Sequence, residues 1–163
     1  MKYQSGITLI EVLITVSVLA IVAAIGVPNF RTLIENNQVR ASTNDLSAAL
    51  HLARSEAIKT RTTVSLCVKA AAQNICDQTN NADWNNGWLV VRNDNVIRAW
   101  DNRSASLDIN NTDGHLRFNF SSNGRVLNIV NSNFTVDSTG GKATTREISI
   151  SQTGRVRVGV KDD

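Results

Sequence analysis

Residues 7–27 read ITLIEVLITVSVLAIVAAIGV, and Glu11 is the single charge in this run of 21 residues. As an α-helix the run would be about 30 Å long, which is the thickness of a bilayer core. The leader before it, residues 1–6, carries Lys2, and a basic flank of this kind stays in the cytoplasm. We therefore predict that residues 7–28 form one helix through the inner membrane, with the rest of the chain in the periplasm.

The helix is predicted to continue over residues 29–60 as an amphipathic segment. Apolar residues return there at steps of three and four, which places them on one stripe of a helix. The stripe consists of Val39, Leu46, Ala49, Leu50, Ala53 and Ala57. We expect the stripe to pack on a sheet, and we interpret the lone His51 as a surface or boundary residue.

The remaining residues, 61–163, are predicted to form a β-rich globular domain. Short β-prone runs alternate there with turn clusters. The predicted strands are Thr62–Val68, Gly87–Val91, Val96–Trp100, His115–Phe120, Arg125–Val130, Phe134–Val136, Arg146–Ile150 and Arg155–Val160. Asn123-Gly124 is a hairpin signal, and Gln152-Thr153-Gly154 is a three-residue loop between the last two strands. This order predicts an α+β fold, a long helix packed on antiparallel sheet.

Composition excludes several classes of protein and site. The 163 residues are 42% hydrophobic and 19% charged with a net charge of +3, which fits neither a disordered chain nor a histone-like one. Two His and two Cys cannot build a four-ligand zinc site of the usual spacing. Without a Ser/His/Asp set or a phosphate-binding glycine loop, we expect no catalytic residues, no metal and no cofactor. We interpret Trp84, Trp88 and Trp100 as packing residues, with base stacking as the alternative.

Cys67 and Cys76 are the two cysteines, and both follow the membrane helix. In an oxidising compartment a disulfide is the default. Two buried thiols or a redox pair are the alternatives, although the spacing lacks the C-x-x-C signature of redox pairs.

The last predicted strand has two chemically different faces. Because alternate residues share a face, Val156, Val158 and Val160 would supply a buried side. Arg155, Arg157, Gly159 and Lys161 would form the other face. Basic residues at this spacing can follow a phosphate backbone without reading its sequence. The alternative is a solvated strand face, since edge strands often carry cations that prevent sheet pairing.

The string Gly6-Ile7-Thr8-Leu9-Ile10-Glu11 resembles the class III signal of type IV prepilins. The resemblance implies that a prepilin peptidase cuts between Gly6 and Ile7 and that Ile7 is then N-methylated. It also implies that Glu11 pairs with the terminal amine of a neighbouring subunit during assembly. A carboxyl that stays protonated or reaches the membrane interface is the alternative for Glu11, because a charge within a bilayer is costly.

Further stretches are similar to FimT-type minor pilins, whose fold is shared with the type II secretion pseudopilin H. They are Val64–Cys67, Cys76, Asp83-Trp84, Asn86–Val91, Phe118–Arg125 and Gly154–Arg157. The resemblance implies that the Gly-Arg-x-Arg motif, here with Arg155 and Arg157, binds DNA during natural transformation. Arg125, Lys142 and Arg146 are further candidates from neighbouring turns, while Asp162 and Asp163 would weaken the positive field.

The sequence thus predicts a non-enzymatic minor pilin that binds extracellular DNA weakly and without sequence preference. Its other partners would be the inner membrane, the prepilin peptidase and, through the N-terminal helix, other pilins. The final location would be extracellular, in the pilus. The alternatives are a structural minor pilin or type II secretion pseudopilin that primes fibre assembly, and an adhesin.

Overall fold

A computed structural model describes residues 8–71, 73–79, 82–101, 106–127 and 129–161. The chain divides into two compact units, with the boundary between Ile34 and Glu35. The predicted cleavage and methylation site, Gly6 and Ile7, lies outside the described residues.

Helix α1, Leu9–Thr60, begins in the first unit. Its first turn is capped by Thr8, whose Oγ1 accepts a hydrogen bond from the backbone N–H of Glu11 over 3.3 Å. An 18-residue window of the helix is long and apolar enough to cross a membrane, and none of that window is buried in protein. Pro28 lies inside the helix.

The second unit contains the rest of α1, a short 3₁₀ helix and the strands. The 3₁₀ helix is Trp84–Asn86. The strands are β1 Val64–Val68, β2 Trp88–Arg92, β3 Asn95–Trp100, β4 Leu107–Asn111, β5 Arg117–Phe120, β6 Asn131–Ser138, β7 Arg146–Ser151 and β8 Val156–Val160. A long helix followed by strands confirms the predicted α+β class.

Two antiparallel sheets of four strands make up the β region. Their strand orders are β3-β2-β1-β5 and β4-β6-β7-β8. In the second sheet β7 lies between β6 and β8, with Ile148 opposite both Phe134 and Val158. Strand β8 is therefore at the edge of its sheet.

The predicted helical stripe is buried in full, and it belongs to one core with residues from both sheets. Three alanines, Ala49, Ala53 and Ala57, lie in that stripe, and their small side chains let other elements approach the helix closely. In the same core, the Trp84 ring packs edge-on against Phe134 at 4.9 Å between centroids. The core thus contains residues of the helix, β5 and β6. This packing fixes the position of the hairpin formed by β7 and β8.

The structure differs from the strand predictions in two places. The described residues of the predicted strand, 125–127 and 129–130, do not form a strand; Phe120 and Val126 make an isolated bridge, and the N–H of Val126 donates to the carbonyl of Gln152. This segment passes from one sheet to the other, so its hydrogen bonds are shared between them. Strand β4 was not predicted, because its sequence LDINN is rich in polar residues that disfavour strands.

The predicted disulfide between Cys67 and Cys76 is present, with the two α-carbons 5.6 Å apart. Cys67 is fully buried in a small cluster with Leu89 and Val91, against which Cys76 packs. The bridge therefore fixes the segment after β1 against the first sheet.

Candidate nucleic-acid interface

Arg155 immediately precedes β8 and Arg157 is the second residue of that strand, and both are exposed. Residues opposite each other in an antiparallel pair share a face, and Arg157 is opposite Ser149 of β7. The same face therefore carries small polar residues of β6 and β7. The loop before β8 positions Arg155, because Ser151 N–H donates to the carbonyl of Arg155 over 3.0 Å. As predicted, residues 152–154 form the three-residue loop of this hairpin.

A shallow polar groove of about 540 Å³ runs beside these arginines. Its lining residues are Asn131, Asn133, Ser149, Ile150, Ser151, Thr153, Arg155 and Arg157. Apart from Ile150, they are polar or charged side chains that donate or accept hydrogen bonds. Among the described residues the ion pairs are Lys59–Glu56 and Lys69–Asp101, so neither arginine of the groove is neutralised by a carboxylate there.

The valine face of β8 was predicted to be buried, but most of it is exposed. Val156 packs partly against the core, whereas Val158 and Val160 are 41% and 50% exposed. They share a face with buried Ile148 and Ile150, but β8 is the edge strand and the core does not extend over its far half. The alternation of side chains along β8 thus predicted correctly which residues share a face, but the prediction that this face is buried was wrong.

Lys161 lies at the other end of β8, where the charge is mixed. Its N–H donates to the carbonyl of Thr145 over 3.1 Å. Between Arg157 and Lys161, Gly159 lies opposite Glu147, which places a carboxylate on the arginine face. Sequence analysis missed Glu147, because only the strand register assigns it to that face.

Two further candidates do not extend the arginine face. Arg146 lies opposite Val160, so it belongs to the valine face of the sheet. Lys142 lies in a loop bound to the beginning of the helical part of the second unit, where Thr144 N–H donates to Oδ1 of Asn36 over 2.9 Å. Arg155, in contrast, lies near Arg54. Arg54 is 18 residues further along the helix than Asn36, so roughly 27 Å of helix separates these two residues.

Arg125 is brought close to Arg155. It is the exposed last residue of a turn over 121–125, and Val126 N–H donates to the carbonyl of Gln152 in the loop before β8. The turn replaces the predicted second strand of the Asn123-Gly124 hairpin. Arg125 therefore lies at the same end of the sheet as Arg155.

The three tryptophans are core residues, as predicted. Trp84, Trp88 and Trp100 are each at most 7% exposed. Burial of this degree leaves no ring face on which a base could stack. His51, by contrast, is exposed on the helix.

Comparison with known proteins decides the family. Residues 42–154 match the family described as type II transport protein GspH, which is more than half of the chain. The chain belongs to the GspH family. Residues 1–27 also match the prokaryotic N-terminal methylation motif. This GspH-family match ends at Gly154, one residue before Arg155.

The fold of this GspH-family chain is similar to that of type IV minor pilin FimU from Pseudomonas aeruginosa (strain PAO1). In one crystal form the TM-score is 0.61 at 24% identity, covering 78% of this chain and 92% of FimU. In a second form the TM-score is 0.58 at 23% identity, covering 74% and 91%. No curated protein matches the sequence.

These findings confirm the predicted minor pilin and pseudopilin family. Membership, together with the methylation motif, implies prepilin processing and association with other pilins. The apolar helix and the motif indicate membrane anchoring and assembly into a pilus or pseudopilus.

Proposed function

We propose that this chain is a minor pilin that binds DNA without sequence preference and helps its uptake in natural transformation. One observation carries the proposal: Arg155 and Arg157 are exposed beside a polar groove and have no carboxylate partner among the described residues. A guanidinium group is planar and always charged, and its fork of donors matches a phosphate. Two such forks about 6.8 Å apart, twice the strand rise, can contact one backbone.

The assembly steps that we propose follow from the N-terminal motif. The helix inserts with its N-terminus in the cytoplasm, and the second unit of the chain lies in the periplasm. The peptidase then cuts between Gly6 and Ile7, the amine of Ile7 is methylated, and Glu11 pairs with the amine of a neighbouring subunit. Glu11 lies in the first turn of the helix, where a negative charge also complements the helix dipole. The pilin then carries no catalytic role or cofactor and acts outside the cell.

The binding is expected to be weak in one subunit. A few phosphate contacts without base readout give dissociation constants of about 10⁻⁴ to 10⁻⁶ M at physiological salt. Several copies along a fibre would raise the overall strength by avidity. Lys161 would contribute less than the arginines, because Glu147 lies between it and Arg157 on that face.

The experiment compares the full chain in detergent with an Arg155→Gln/Arg157→Gln variant, by fluorescence anisotropy on a labelled DNA duplex of mixed sequence. The slope of log K against log salt should fall by roughly two units, at about 0.9 per phosphate contact. An Arg40→Gln/Arg92→Gln variant removes the same charge from the helix and the other sheet, and should bind like the wild type. Equal binding by all three proteins would place the site elsewhere.

A structural subunit of a type II secretion pseudopilus is the second candidate, and the GspH family match favours it. This role needs the N-terminal helix and no phosphate contact. It predicts that the wild-type chain does not bind DNA at any salt concentration and that Arg155→Gln/Arg157→Gln leaves fibre assembly and secretion intact. If the wild type binds DNA and the arginine variant does not, a purely structural role is excluded.

A further inference from the structure

Two turns of the second unit have nearly the same sequence and the same hydrogen bonds. Residues 121–126 read SSNGRV and residues 151–156 read SQTGRV. In both, the first serine N–H donates to the arginine carbonyl, over 2.9 Å in one turn and 3.0 Å in the other. In both, the glycine N–H donates back to the serine carbonyl over 2.8 Å. We call residues 121–125 and 151–155 the paired turns.

The glycines of the paired turns are in the left-handed region, with φ of 77° at Gly124 and 73° at Gly154. These values let each turn close in three residues. Because corresponding residues of the two turns make the same hydrogen bonds, Arg125 and Arg155 occupy equivalent positions. The repeat is visible in the sequence at a spacing of 30 residues, but only the fold brings its two copies together.

The paired turns touch each other and the helix. A Cβ atom at Gly154 would overlap the carbonyl oxygen of Gly124. The Nε atom of Arg54 would be 3.1 Å from a Cβ at Gly124 and 3.0 Å from one at Gly154. Arg54 therefore packs against both turns. Standard bond lengths then place the α-carbons of Arg125 and Arg155 within about 10 Å of each other.

Three arginines, Arg54, Arg125 and Arg155, lie at or beside the paired turns. Arg125 and Arg155 are exposed, and the ion pairs among the described residues lie elsewhere. The Nε atom of Arg54 is buried, with no hydrogen-bond partner in the described part of the chain. Like charges on neighbouring residues repel each other, and a bound anion would reduce that repulsion.

We propose that the paired turns are one phosphate-binding element, in which Arg125 and Arg155 contact phosphates of the same nucleic-acid strand. This inference rests on the proposed function and adds to Arg155 and Arg157 a third phosphate-contacting arginine, Arg125, from a different part of the chain. Arg54 is a positioning residue: its side chain holds the turns at the distance at which both guanidinium groups reach one backbone. The DNA would run from the groove beside Arg157 over the ends of both turns.

The charge test compares Arg125→Gln, Arg155→Gln and the control Arg92→Gln, each in the full chain in detergent with a labelled DNA duplex. Arg125→Gln should weaken binding as much as Arg155→Gln, by about eightfold at 0.1 M salt, and lower the salt slope by about 0.9. Arg92 lies at the end of β2, in the other sheet, and its replacement should change neither quantity.

A geometry test leaves every charge in place. Gly154→Ala introduces a methyl group that must push the turns apart, whereas Gly114→Ala adds one at a similar positive φ where no atom lies within 4 Å. DNA affinity should fall several-fold in the first variant and stay unchanged in the second. Circular dichroism shows whether Gly154→Ala folds, and if it does not, the charge test decides alone.

The outcomes separate this inference from the proposed function. If Arg125→Gln binds like Arg92→Gln while Arg155→Gln/Arg157→Gln loses affinity, the paired-turn element is wrong and the proposed function stands. If the wild-type chain binds no DNA, both are wrong. Parallel losses in Arg125→Gln and Arg155→Gln support both.

Discussion

The α-carbon of Gly154 lies against the carbonyl oxygen of Gly124, so closely that any side chain at Gly154 would overlap that oxygen. Two segments that are 30 residues apart in the chain thus meet through their glycines. Both glycines adopt a positive φ, so each is required locally as well as by the contact. The cost of a side chain at a positive φ and the cost of its overlap with a neighbouring turn can be measured separately with glycine-to-alanine variants.

Three glycine-to-alanine substitutions form the first prediction. Gly159→Ala should change stability little, because it meets open space at an ordinary φ. Gly114 has a φ of +71° and open space, so Gly114→Ala should cost about 1 kcal/mol for the left-handed backbone alone. Gly154→Ala combines the strained φ with the overlap, and should cost roughly 2–4 kcal/mol.

Urea denaturation of the three variants in detergent, followed by circular dichroism, gives these differences in the free energy of unfolding. If Gly154→Ala and Gly114→Ala cost the same, the contact between the turns adds nothing to stability.

The disulfide prediction concerns the loop that Cys67 and Cys76 close. Their separation of nine residues corresponds to roughly 2.5 kcal/mol of stabilisation in the chain-entropy model. Reduction of the wild type should therefore lower the unfolding free energy by about 2–3 kcal/mol. Reduction removes no side chain, so the comparison measures the loss of the cross-link and not a truncation of the cluster that Cys67 forms with Leu89 and Val91.

Mass spectrometry of the unreduced protein after alkylation should find no modified cysteine. Two alkylated thiols in the native protein would show that the bridge is not formed, and an unchanged unfolding free energy after reduction would show that it does not stabilise the fold.

Asp113 provides a prediction about pH. Hydrogen bonds from the side chain of Ser132 and from the backbone N–H of Asn133 lower the pKa of this carboxyl below its ordinary value of 3.8. A carboxyl whose pKa is lower in the folded protein stabilises the fold at higher pH, and that stabilisation is lost as the pH falls below about 4. Asp113→Asn should therefore lose less stability than the wild type between about pH 5 and pH 3.

The measurement is the melting temperature of both proteins across that range at constant ionic strength. The Asp94→Asn variant changes a carboxyl in the β2–β3 turn and controls for net charge. Parallel pH profiles for wild type and Asp113→Asn would mean that the Ser132 and Asn133 hydrogen bonds are not kept in solution.

Processing is the last prediction, and it rests on the sequence. The peptidase must accommodate the residue before the cut, so a branched side chain in place of Gly6 should block cleavage. Gly6→Val should accumulate as precursor that is heavier by the six leader residues and lacks the N-terminal methyl group. Intact mass spectrometry of membrane fractions distinguishes the two forms. Normal cleavage of Gly6→Val, with Gln4→Val processed equally as control, would contradict the assigned site.

Local patterns in the sequence determined much of this protein. The stripe from Val39 to Ala57 repeats with the helical period, and a buried helix face follows from that period alone. Most strands were likewise visible as β-prone runs between turns. The N-terminal methylation motif is also local, because its glycine, apolar run and Glu11 lie within a short stretch of chain.

Only the tertiary structure decided which charges share a surface. The register of β7 against β8 places Arg146 with the valines and Glu147 with Arg157, and a shift by one residue would reverse both assignments. The exposure of Val158 and Val160 depends on how far the core extends over an edge strand, which no local pattern encodes. The turns that carry Arg125 and Arg155 lie side by side because Val126 N–H donates to the carbonyl of Gln152, a hydrogen bond between residues far apart in sequence.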